Sequence, residues 1–378
     1  MEAKEFFSDK DIQLPLTRVQ PDFPAYLGRV LSKFRKLLGQ IKGSDPLSLS
    51  VLAQARASRR LCRALMRSIS SYYEGYPSSA YGIFATAVGP LKPLIMRLHY
   101  DKMSSMQSVR LYRMRSSAEE KLDRGGIFHV PFEKRHEVAT QRFSIPGLPC
   151  LYLGGSLFTC WREFRRASLE TMHVASFVLD DGETLKVVDL AHRPAWLARW
   201  LDKLDIGALG HDDIDFLAAH VLLWPLMAAC TIRVLHQRKP FIPEYIIPQM
   251  LLQWVRSHAD LDGIRCFSTH VSGIVENPHW VSNYAIPVQS SESEGFCAAL
   301  KKKFIMTEPY LWRELSVANL GARASDMRDS FQVEIIDGIK EQYAHTEFGD
   351  VQWSLNWLLE LIRRHRAATK EFSFGKVP

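Results

Sequence analysis

The chain has 378 residues, of which 47% are hydrophobic and 24% are charged, a composition that allows a buried core and argues against long disorder. Its formal net charge of +7 favours an anionic partner such as nucleic acid, an acidic membrane surface or a phosphate-bearing metabolite. A modest basic excess that only aids solubility is the alternative, because the basic residues are spread along the chain instead of massed in one run.

The cysteines and the apolar segments indicate in which cellular compartment the protein acts. None of the six cysteines forms a Cys-x-x-Cys pair, so we expect small buried side chains in a reducing compartment and no zinc site. The N-terminus lacks a basic region followed by an apolar core, so no secretory signal is predicted. The most apolar stretch, residues 216–230, is too short to span a bilayer and predicts a buried helix. We therefore expect a cytoplasmic site of action, with signal-less export left open.

The first hundred residues are predicted to be helical. Apolar residues recur at three- and four-residue spacing over 27–41 and again over 52–69, and a third short helix is expected over 79–88. The second of these patterns is interleaved with Arg56, Arg59, Arg60, Arg63 and Arg67.

From residue 109 onward, short β-like runs separated by Gly, Pro and Asp predict strands. These runs cover residues 109–114, 150–153, 174–179, 185–188, 263–270 and 283–288. Asp180-Asp181-Gly182 between two of them indicates a hairpin.

Helical patterns complete the chain. They cover residues 195–203, 214–233 and 248–258, and the chain is predicted to be helical again from about residue 304, with a strong pattern over 351–366. The whole is an α+β pattern without the regular alternation of a doubly wound sheet.

The segment 141–164 carries the strongest functional signal. It places charged residues among apolar side chains, prolines and glycines. Burying a charged side chain in such surroundings costs free energy unless the charge is paired. Arg142 could present its guanidinium to a phosphate or fasten a loop by an ion pair. Tyr152 could stack on a base or nicotinamide ring or pack in the core. Ser156 is predicted to be a helix N-cap, which places Glu163 beside the buried helix stripe, where it borders a cleft or pairs with neighbouring cations.

Two strands add further candidates. Arg113 and Arg115 share one strand face, which suits phosphate capture or a solvated face equally well. Ser268 falls on the buried face of its strand and needs a hydrogen-bond partner, either a residue of an active site or a backbone group.

Several other chemistries are excluded by the absence of their motifs. The sequence has no Gly-x-Gly-x-x-Gly, Walker phosphate loop, His-Glu-x-x-His or Gly-x-Ser-x-Gly. His129, His136 and His173 have no metal-ligand spacing.

Taken in chain order, these segments resemble the RES family, which is named for an arginine, a glutamate and a serine. Leu111-Tyr112-Arg113 resembles the opening strand motif, and Arg142-Phe143-Ser144 the second arginine element. Tyr152, followed eleven residues later by Glu163, resembles the family's tyrosine–glutamate spacing, and residues 262–268 resemble the strand that carries the serine. The resemblance covers roughly residues 109–288, about half of the chain.

The resemblance implies an ADP-ribosyltransferase-like fold, a split β-sheet with flanking helices around an NAD cleft, and no metal. The layout is similar to longer members with a helical N-terminal domain. We therefore expect a helical domain over 1–104, a RES-like catalytic domain over 105–303 and a helical C-terminal extension over 304–378.

The resemblance also implies roles for individual residues. As catalytic residues it implies Glu163, Arg142 and Ser268. As NAD-binding residues it implies Arg113, Arg142, Tyr152, Tyr112 and Ser156. These types suit the reaction, since breaking the nicotinamide–ribose bond develops positive charge on the ribose that a carboxylate stabilises.

The function expected from the resemblance is NAD consumption by a glycohydrolase or phosphorylase that acts as a toxin or effector. Its expected partners are NAD, an antitoxin or immunity protein and a second copy of the chain, and no transmembrane segment is expected. Transfer of ADP-ribose to a macromolecule is one alternative. A non-catalytic basic module that binds nucleic acid or protein is the other.

Overall fold

The computed structural model describes residues 1–99, 109–117, 121–204, 209–234, 239–271, 277–318 and 331–373. The chain divides into two compact units. Unit 1 comprises Met1–Met103, Ala139–Pro146 and Lys186–Ile274, and unit 2 comprises Ser104–Val138, Gly147–Leu185 and Val275–Pro378.

The helices of the described residues are α1 (Phe23–Leu38), α2 (Pro46–Tyr73), α3 (Pro77–Val88), α4 (Lys92–Met96), α5 (Arg124–Ile127), α6 (Leu157–Glu163), α7 (Pro194–Asp202), α8 (His211–Cys230), α9 (Ile246–Arg256), α10 (Ala298–Lys303), α11 (Trp312–Ala318) and α12 (Glu347–Ser373). The strands are β1 (Leu111–Ser116), β2 (Cys150–Gly154), β3 (Met172–Leu179), β4 (Val187–Leu190), β5 (Gly263–Phe267), β6 (Ser282–Pro287), β7 (Phe304–Met306), β8 (Tyr310–Leu311), β9 (Gln332–Ile336) and β10 (Ile339–Gln342). The mixed α+β class is thereby confirmed.

Unit 1 packs helices around α8. The side chain of Asp45 caps α2 by accepting a hydrogen bond from the backbone N–H of Ser48, and Pro46 stands at the first helical position. Ser58 of α2 donates to the carbonyl of Leu222 in α8 at 2.6 Å. Beside these helices, β4 and β5 form a parallel pair.

Helix α8 is buried on all sides from Phe216 to Cys230, and this part of it is almost entirely apolar. Within the described ranges it is the one helix long and apolar enough to cross a membrane by composition, and 89% of its apolar window is buried inside the protein. A helix that is hydrophobic on all sides is stable in water only when its whole surface is covered. The prediction of a buried helix is confirmed.

Unit 2 contains an antiparallel sheet with the strand order β6-β2-β1-β3-β7, and β8 also pairs with β3. Strand β1 pairs with β3 at six positions, whereas its register with β2 joins Tyr112 to Gly154 alone. The register therefore joins β1 to β2 less extensively than it joins β1 to β3. Helix α12 packs on one face, where Leu359 contacts Val178 and Ile305.

The predicted hairpin around Asp180-Asp181-Gly182 was wrong. Strand β3 pairs with β1, β7 and β8, and β4 pairs with β5 in parallel. Gly182 does form a turn, with a φ of 82°. Every residue of β3 is buried, so the strand is stabilised by distant partners on both edges, which a local turn signal does not reveal.

The helical C-terminal extension predicted over 304–378 was wrong in its first part. Strand β7 pairs with β3, and β9 and β10 form a hairpin that turns at Gly338, whose φ is 84°. The short apolar run Phe304-Ile305-Met306 gains burial by adding to the sheet, and a glycine accommodates the left-handed turn without strain. Helices α11 and α12 make up the helical part.

The two units cut across the predicted domain division. Lys186–Ile274, from the middle of the predicted catalytic domain, belongs to unit 1, and the predicted extension belongs to unit 2. Burial explains the difference, because α8 packs on α2 and α12 packs on β3. The predicted boundary at 104–105 lies outside the described residues.

Candidate functional site

The predicted site residues are distributed over both units. Unit 2 holds Tyr112, Arg113, Tyr152, Ser156 and Glu163, whereas unit 1 holds Arg142 and Ser268.

Arg113, in the middle of β1, is half-buried, and no carboxylate among the described residues lies close enough to affect its charge. Its Nη1 atom is shut off from solvent and has no hydrogen-bond partner in the described part of the chain. Burial, reinforced by the positive charge of Arg115, lowers the pKa of Arg113 to about 10, so the guanidinium is still charged at neutral pH. A charged group with a donor atom shut off from solvent and unpaired costs free energy, and this cost is removed when an anion binds. Arg113 is therefore the strongest indication of an anion site.

The groups around Arg113 do not neutralise it. Its guanidinium lies within electrostatic range of the side chains of Cys150, Tyr152 and Cys160. Burial raises the pKa of both thiols to about 12, so they are neutral at physiological pH. Tyr152, half-buried on β2, is the one aromatic side chain among these three neighbours of Arg113.

A histidine that the sequence analysis set aside shares the face of Arg113. In the register of β1 and β3, Arg113 is opposite Ala175 and Arg115 is opposite His173, so His173 is the diagonal neighbour of Arg113. His173 is 1% exposed, and neither ring nitrogen has a hydrogen-bond partner among the described residues. A buried imidazole normally has at least one. Two neighbouring side chains therefore present unsatisfied polar atoms on one face.

Arg115 is used differently from Arg113. Its Nη1 atom donates to the carbonyl of Gly126 in α5, which fastens this short helix to the strand. Its charge nevertheless adds to the positive potential at Arg113. The expectation that both arginines share one strand face is confirmed by their pairing with β3.

Glu163, the last residue of α6, is exposed and held in place. Its Oε1 atom accepts a 2.7 Å hydrogen bond from Nδ2 of Asn283 on β6. The chain then turns through Arg165 and Arg166, whose φ values of 55° and 59° are left-handed. Such conformations are strained for non-glycine residues and are often found near functional sites. Asn283 lies 120 residues away along the chain, and no sequence signal pointed to it.

Glu163 and Arg113 both act on the same side chain. The negative charge of Glu163 contributes to the raised pKa of Cys160, and the positive charge of Arg113 opposes it. Cys160 in turn contacts the carbonyl of Tyr112 on β1 at 3.4 Å. The carboxylate and the guanidinium therefore lie within electrostatic range of one buried thiol.

The turn between β2 and α6 is shaped by a close backbone approach. A Cβ atom at Gly155 would lie 1.8 Å from the carbonyl oxygen of His279, so only glycine fits there. Ser156 is the N-cap of α6, as predicted, and its Oγ also donates to the carbonyl of Trp280 at 2.7 Å. Since its hydroxyl is fully used and buried, we assign Ser156 to fixing the turn that positions α6.

Tyr112 is likewise committed to packing. It is 2% exposed, and its hydroxyl donates to Oδ1 of Asn356 in α12 at 2.7 Å. Burial raises its pKa well above the usual value. We assign Tyr112 to the attachment of α12 to the sheet.

The two predicted residues of unit 1 have partners within that unit. Nη1 of Arg142 donates to the carbonyl of Cys230 at 3.1 Å, and its guanidinium lies 5.4 Å from the ring centroid of Tyr245. Ser268 is 1% exposed, and its Oγ accepts a hydrogen bond from the N–H of His270 at 3.2 Å. Their catalytic and NAD-binding roles stay predictions.

Unit 1 also contains a buried ion pair. Nη1 of Arg265 donates to Oδ2 of Asp189 at 2.9 Å, and the two residues are 3% and 0% exposed. They are register partners of the parallel strands β5 and β4. The pair holds the pKa of Asp189 well below its usual range, in spite of the burial that acts to raise it.

A metal centre has no support from the described residues. Across them, no three or more His, Cys, Asp and Glu side chains are arranged to hold a metal ion. Metal-independent chemistry stays a prediction.

Comparison with known proteins places the chain in a family. No protein-family model matches it, and no solved structure matches it. The chain is 30% identical over 374 residues to the "Putative toxin YopC" of Bacillus subtilis (strain 168), an alignment that covers 97% of this chain and 81% of that protein. The chain therefore belongs to the family of this toxin-named protein, YopC.

Proposed function

We propose that the protein is an NAD-consuming toxin that cleaves the bond between nicotinamide and ribose. The observation that carries the proposal is the buried Nη1 atom of Arg113, which has no partner among the described residues. A diphosphate supplies the missing negative charge, and charge-assisted hydrogen bonds to it contribute roughly 1.5–3 kcal/mol each. The name of the YopC relative supports the toxin part of the proposal.

The proposed anion contacts come from one face of the sheet in unit 2. Arg113 donates to the diphosphate, and His173, its diagonal neighbour, contributes a ring N–H to the same group. Tyr152 of β2 offers its ring to nicotinamide as a stacking surface. The register joins β1 to β2 only at Tyr112 and Gly154, so the proposal requires the ligand to enter beside Arg113, where these two strands have no further register pair.

Glu163 is the proposed catalytic residue. When the glycosidic bond breaks, nicotinamide leaves with the bonding electron pair, and positive charge develops at the anomeric carbon of the ribose. A carboxylate that faces this carbon stabilises the charge. Asn283 fixes the carboxylate by its hydrogen bond, so that Glu163 needs no reorganisation in the transition state. Water then adds at the anomeric carbon and releases a proton, or phosphate adds in its place.

The proposal rests on residues of unit 2 alone. The predicted contributions of Arg142 and Ser268 are tested separately by Arg142→Ala and Ser268→Ala. The expected antitoxin or immunity protein and the cytoplasmic site of action are part of the proposal, because an enzyme that destroys NAD must be restrained in the cell that makes it.

The test is nicotinamide release from NAD by the full-length protein. We expect release by the wild-type protein and a loss of at least about a hundredfold in Glu163→Gln, because the amide carries no charge to stabilise the transition state. Glu170→Gln, which removes an exposed carboxylate seven residues further along the chain, is the matched control and should retain the rate. Absence of release by the folded wild-type protein would contradict the proposal.

The products distinguish the acceptor. Free ADP-ribose indicates water, ADP-ribose phosphorylated at the anomeric carbon indicates phosphate, and label carried from NAD onto a macromolecule indicates transfer. All three require the same bond cleavage and the same loss in Glu163→Gln.

A further inference from the structure

One face of α2 carries an uninterrupted stripe of exposed side chains. Its members follow one another at spacings of three or four residues, so they line up along the helix. This α2 stripe consists of Leu49, Leu52, Arg56, Arg60, Arg63 and Arg67, all of them exposed. The sequence of α2 contains no Asp or Glu, and none of the four arginines forms an ion pair within the described residues.

The arginine end of the α2 stripe borders a cleft shared with α3. The cleft has a volume of about 780 Å³, within the range of sites that bind a ligand. Arg60, Arg63 and Arg67 form one wall, and small residues of α3, around Gly82 and Ile83, form the other. Helix α3 contains no charged residue, and a Cβ atom at Gly82 would meet nothing within 4 Å. One wall is therefore strongly positive and the other is small and uncharged.

The charge of the α2 stripe and the shape of the cleft together indicate which kind of partner binds there. Four arginines that form no ion pair with any residue described by the structure attract an acidic partner, and exposed leucines continue the same row. A partner helix that lies along α2 has the same rise per residue. Acidic residues spaced three and four apart on that helix therefore lie opposite Arg56 to Arg67, over a span of about 16 Å. Its small or apolar side fits against α3, because small residues allow helices to approach closely.

Nucleic acid fits this surface less well. Sites for single strands combine a positively charged groove with aromatic side chains on which the bases stack. The cleft has cations on one wall only, and none of its lining residues is aromatic. The exposed leucines of the stripe would also face the charged backbone.

We propose that the α2 stripe and the α2–α3 cleft bind an acidic, amphipathic helix of a partner protein. The helix carries Asp or Glu at spacings of three and four residues opposite Arg56 to Arg67, and an apolar end opposite Leu49 and Leu52. This surface belongs to unit 1 and is independent of the proposed NAD chemistry.

The probe is a synthetic alanine-based helical peptide with four glutamates at this spacing on one face and leucines at both ends. The control peptide has the same composition, with the glutamates distributed around the helix. Fluorescence anisotropy with the full-length protein should show binding of the first peptide at least about tenfold tighter than that of the second.

Two protein variants localise the binding. Arg60→Gln/Arg63→Gln/Arg67→Gln should weaken the peptide by about tenfold or more. Arg29→Gln/Lys36→Gln/Arg59→Gln removes the same charge from exposed positions outside the cleft lining and should change the affinity by less than about twofold. Gly82→Trp fills the cleft without removing charge and should likewise weaken binding by about tenfold or more; circular dichroism verifies that each variant is folded.

Equal affinity for both peptides, or equal losses in the two triple variants, would overturn the proposal. So would binding of a single-stranded oligonucleotide that is tighter than that of the peptide, falls steeply with salt and is lost in Arg60→Gln/Arg63→Gln/Arg67→Gln, which would assign the surface to nucleic acid.

Discussion

Nδ2 of Asn283 donates a 2.7 Å hydrogen bond to Oε1 of Glu163, and this bond ties the end of α6 to strand β6. If it positions the carboxylate, Asn283→Ala should lower kcat for nicotinamide release by about tenfold with little change in KM, since a lost charge-assisted bond is worth about 1.5 kcal/mol. Steady-state kinetics measure this split. Gln289→Ala, which removes another amide side chain beyond the end of β6, should leave both constants unchanged.

Asn283→Asp is the sharper variant. It keeps the size of the side chain but places a second carboxylate beside Glu163, and like charges in contact raise a carboxyl pKa. The acidic limb of the pH–rate profile should therefore move to higher pH. A profile that coincides with that of the wild-type protein would show that Asn283 does not act through Glu163.

His173 should contribute to ligand binding and not to folding. Both of its ring nitrogens are buried without a partner among the described residues, so His173→Leu removes two unsatisfied polar atoms and should not lower the melting temperature. The same change should weaken NAD binding by about tenfold through the lost N–H donor. Isothermal titration of NAD measures the second effect. Unchanged affinity would remove His173 from the proposed site.

Acid should destabilise unit 1 through two buried histidines. Burial lowers the pKa of His192 from 6.5 to about 3 and that of His220 from 6.5 to about 4. Below pH 6.5 the unfolded chain therefore binds protons at these positions that the folded unit does not bind. Each histidine should reduce the free energy of unfolding by about 2 kcal/mol at pH 5.

Chemical denaturation at pH 7 and pH 5 tests this sign. The midpoint should fall at pH 5, and His220→Phe should flatten the dependence because its position no longer titrates. His136→Phe, which changes a histidine exposed to solvent, is the control. A midpoint that rises on acidification would contradict the burial of these two rings.

Removing only one member of the ion pair between Asp189 and Arg265 should destabilise the protein more than replacing both. Asp189→Ala leaves the guanidinium of Arg265 buried without its counter-charge and should destabilise the protein by about 3–5 kcal/mol. Replacing both residues with apolar ones, as in Asp189→Leu/Arg265→Met, should restore most of this loss. Denaturation of the single and double variants measures the difference. A double variant no more stable than Asp189→Ala would show that packing, not charge, is lost.

The helices could be predicted from signals in neighbouring residues. The pairing of strands that lie far apart along the chain could not. Asp45 and Pro46 mark the start of α2 because capping depends on neighbouring residues. The hairpin expected at Gly182 failed because β3 takes its partners from far along the chain. The strands after residue 303 were missed for the same reason, since three apolar residues specify a strand only when a sheet edge is present.

In the candidate site, too, local sequence signals predicted some residues, whereas contacts between distant segments could not be predicted. Arg113 and Glu163 were identified by residue type and spacing, and Ser156 was identified as a cap. The burial of Arg113 depends on packing that no local pattern encodes. His173 becomes its neighbour only through the register of β1 and β3, and Asn283 reaches Glu163 only when β6 pairs with β2.

The most direct test of the account is NAD binding and thermal stability measured together on Arg113→Met. Removing a half-buried guanidinium whose Nη1 has no partner among the described residues should stabilise the free protein by about 1 kcal/mol, while NAD should no longer raise the melting temperature as we expect it to do for the wild-type protein. Arg115→Met, which loses the hydrogen bond to Gly126, should instead be less stable. An Arg113→Met protein that is destabilised and still binds NAD with wild-type affinity would contradict the central claim that Arg113 belongs to an anion-binding site.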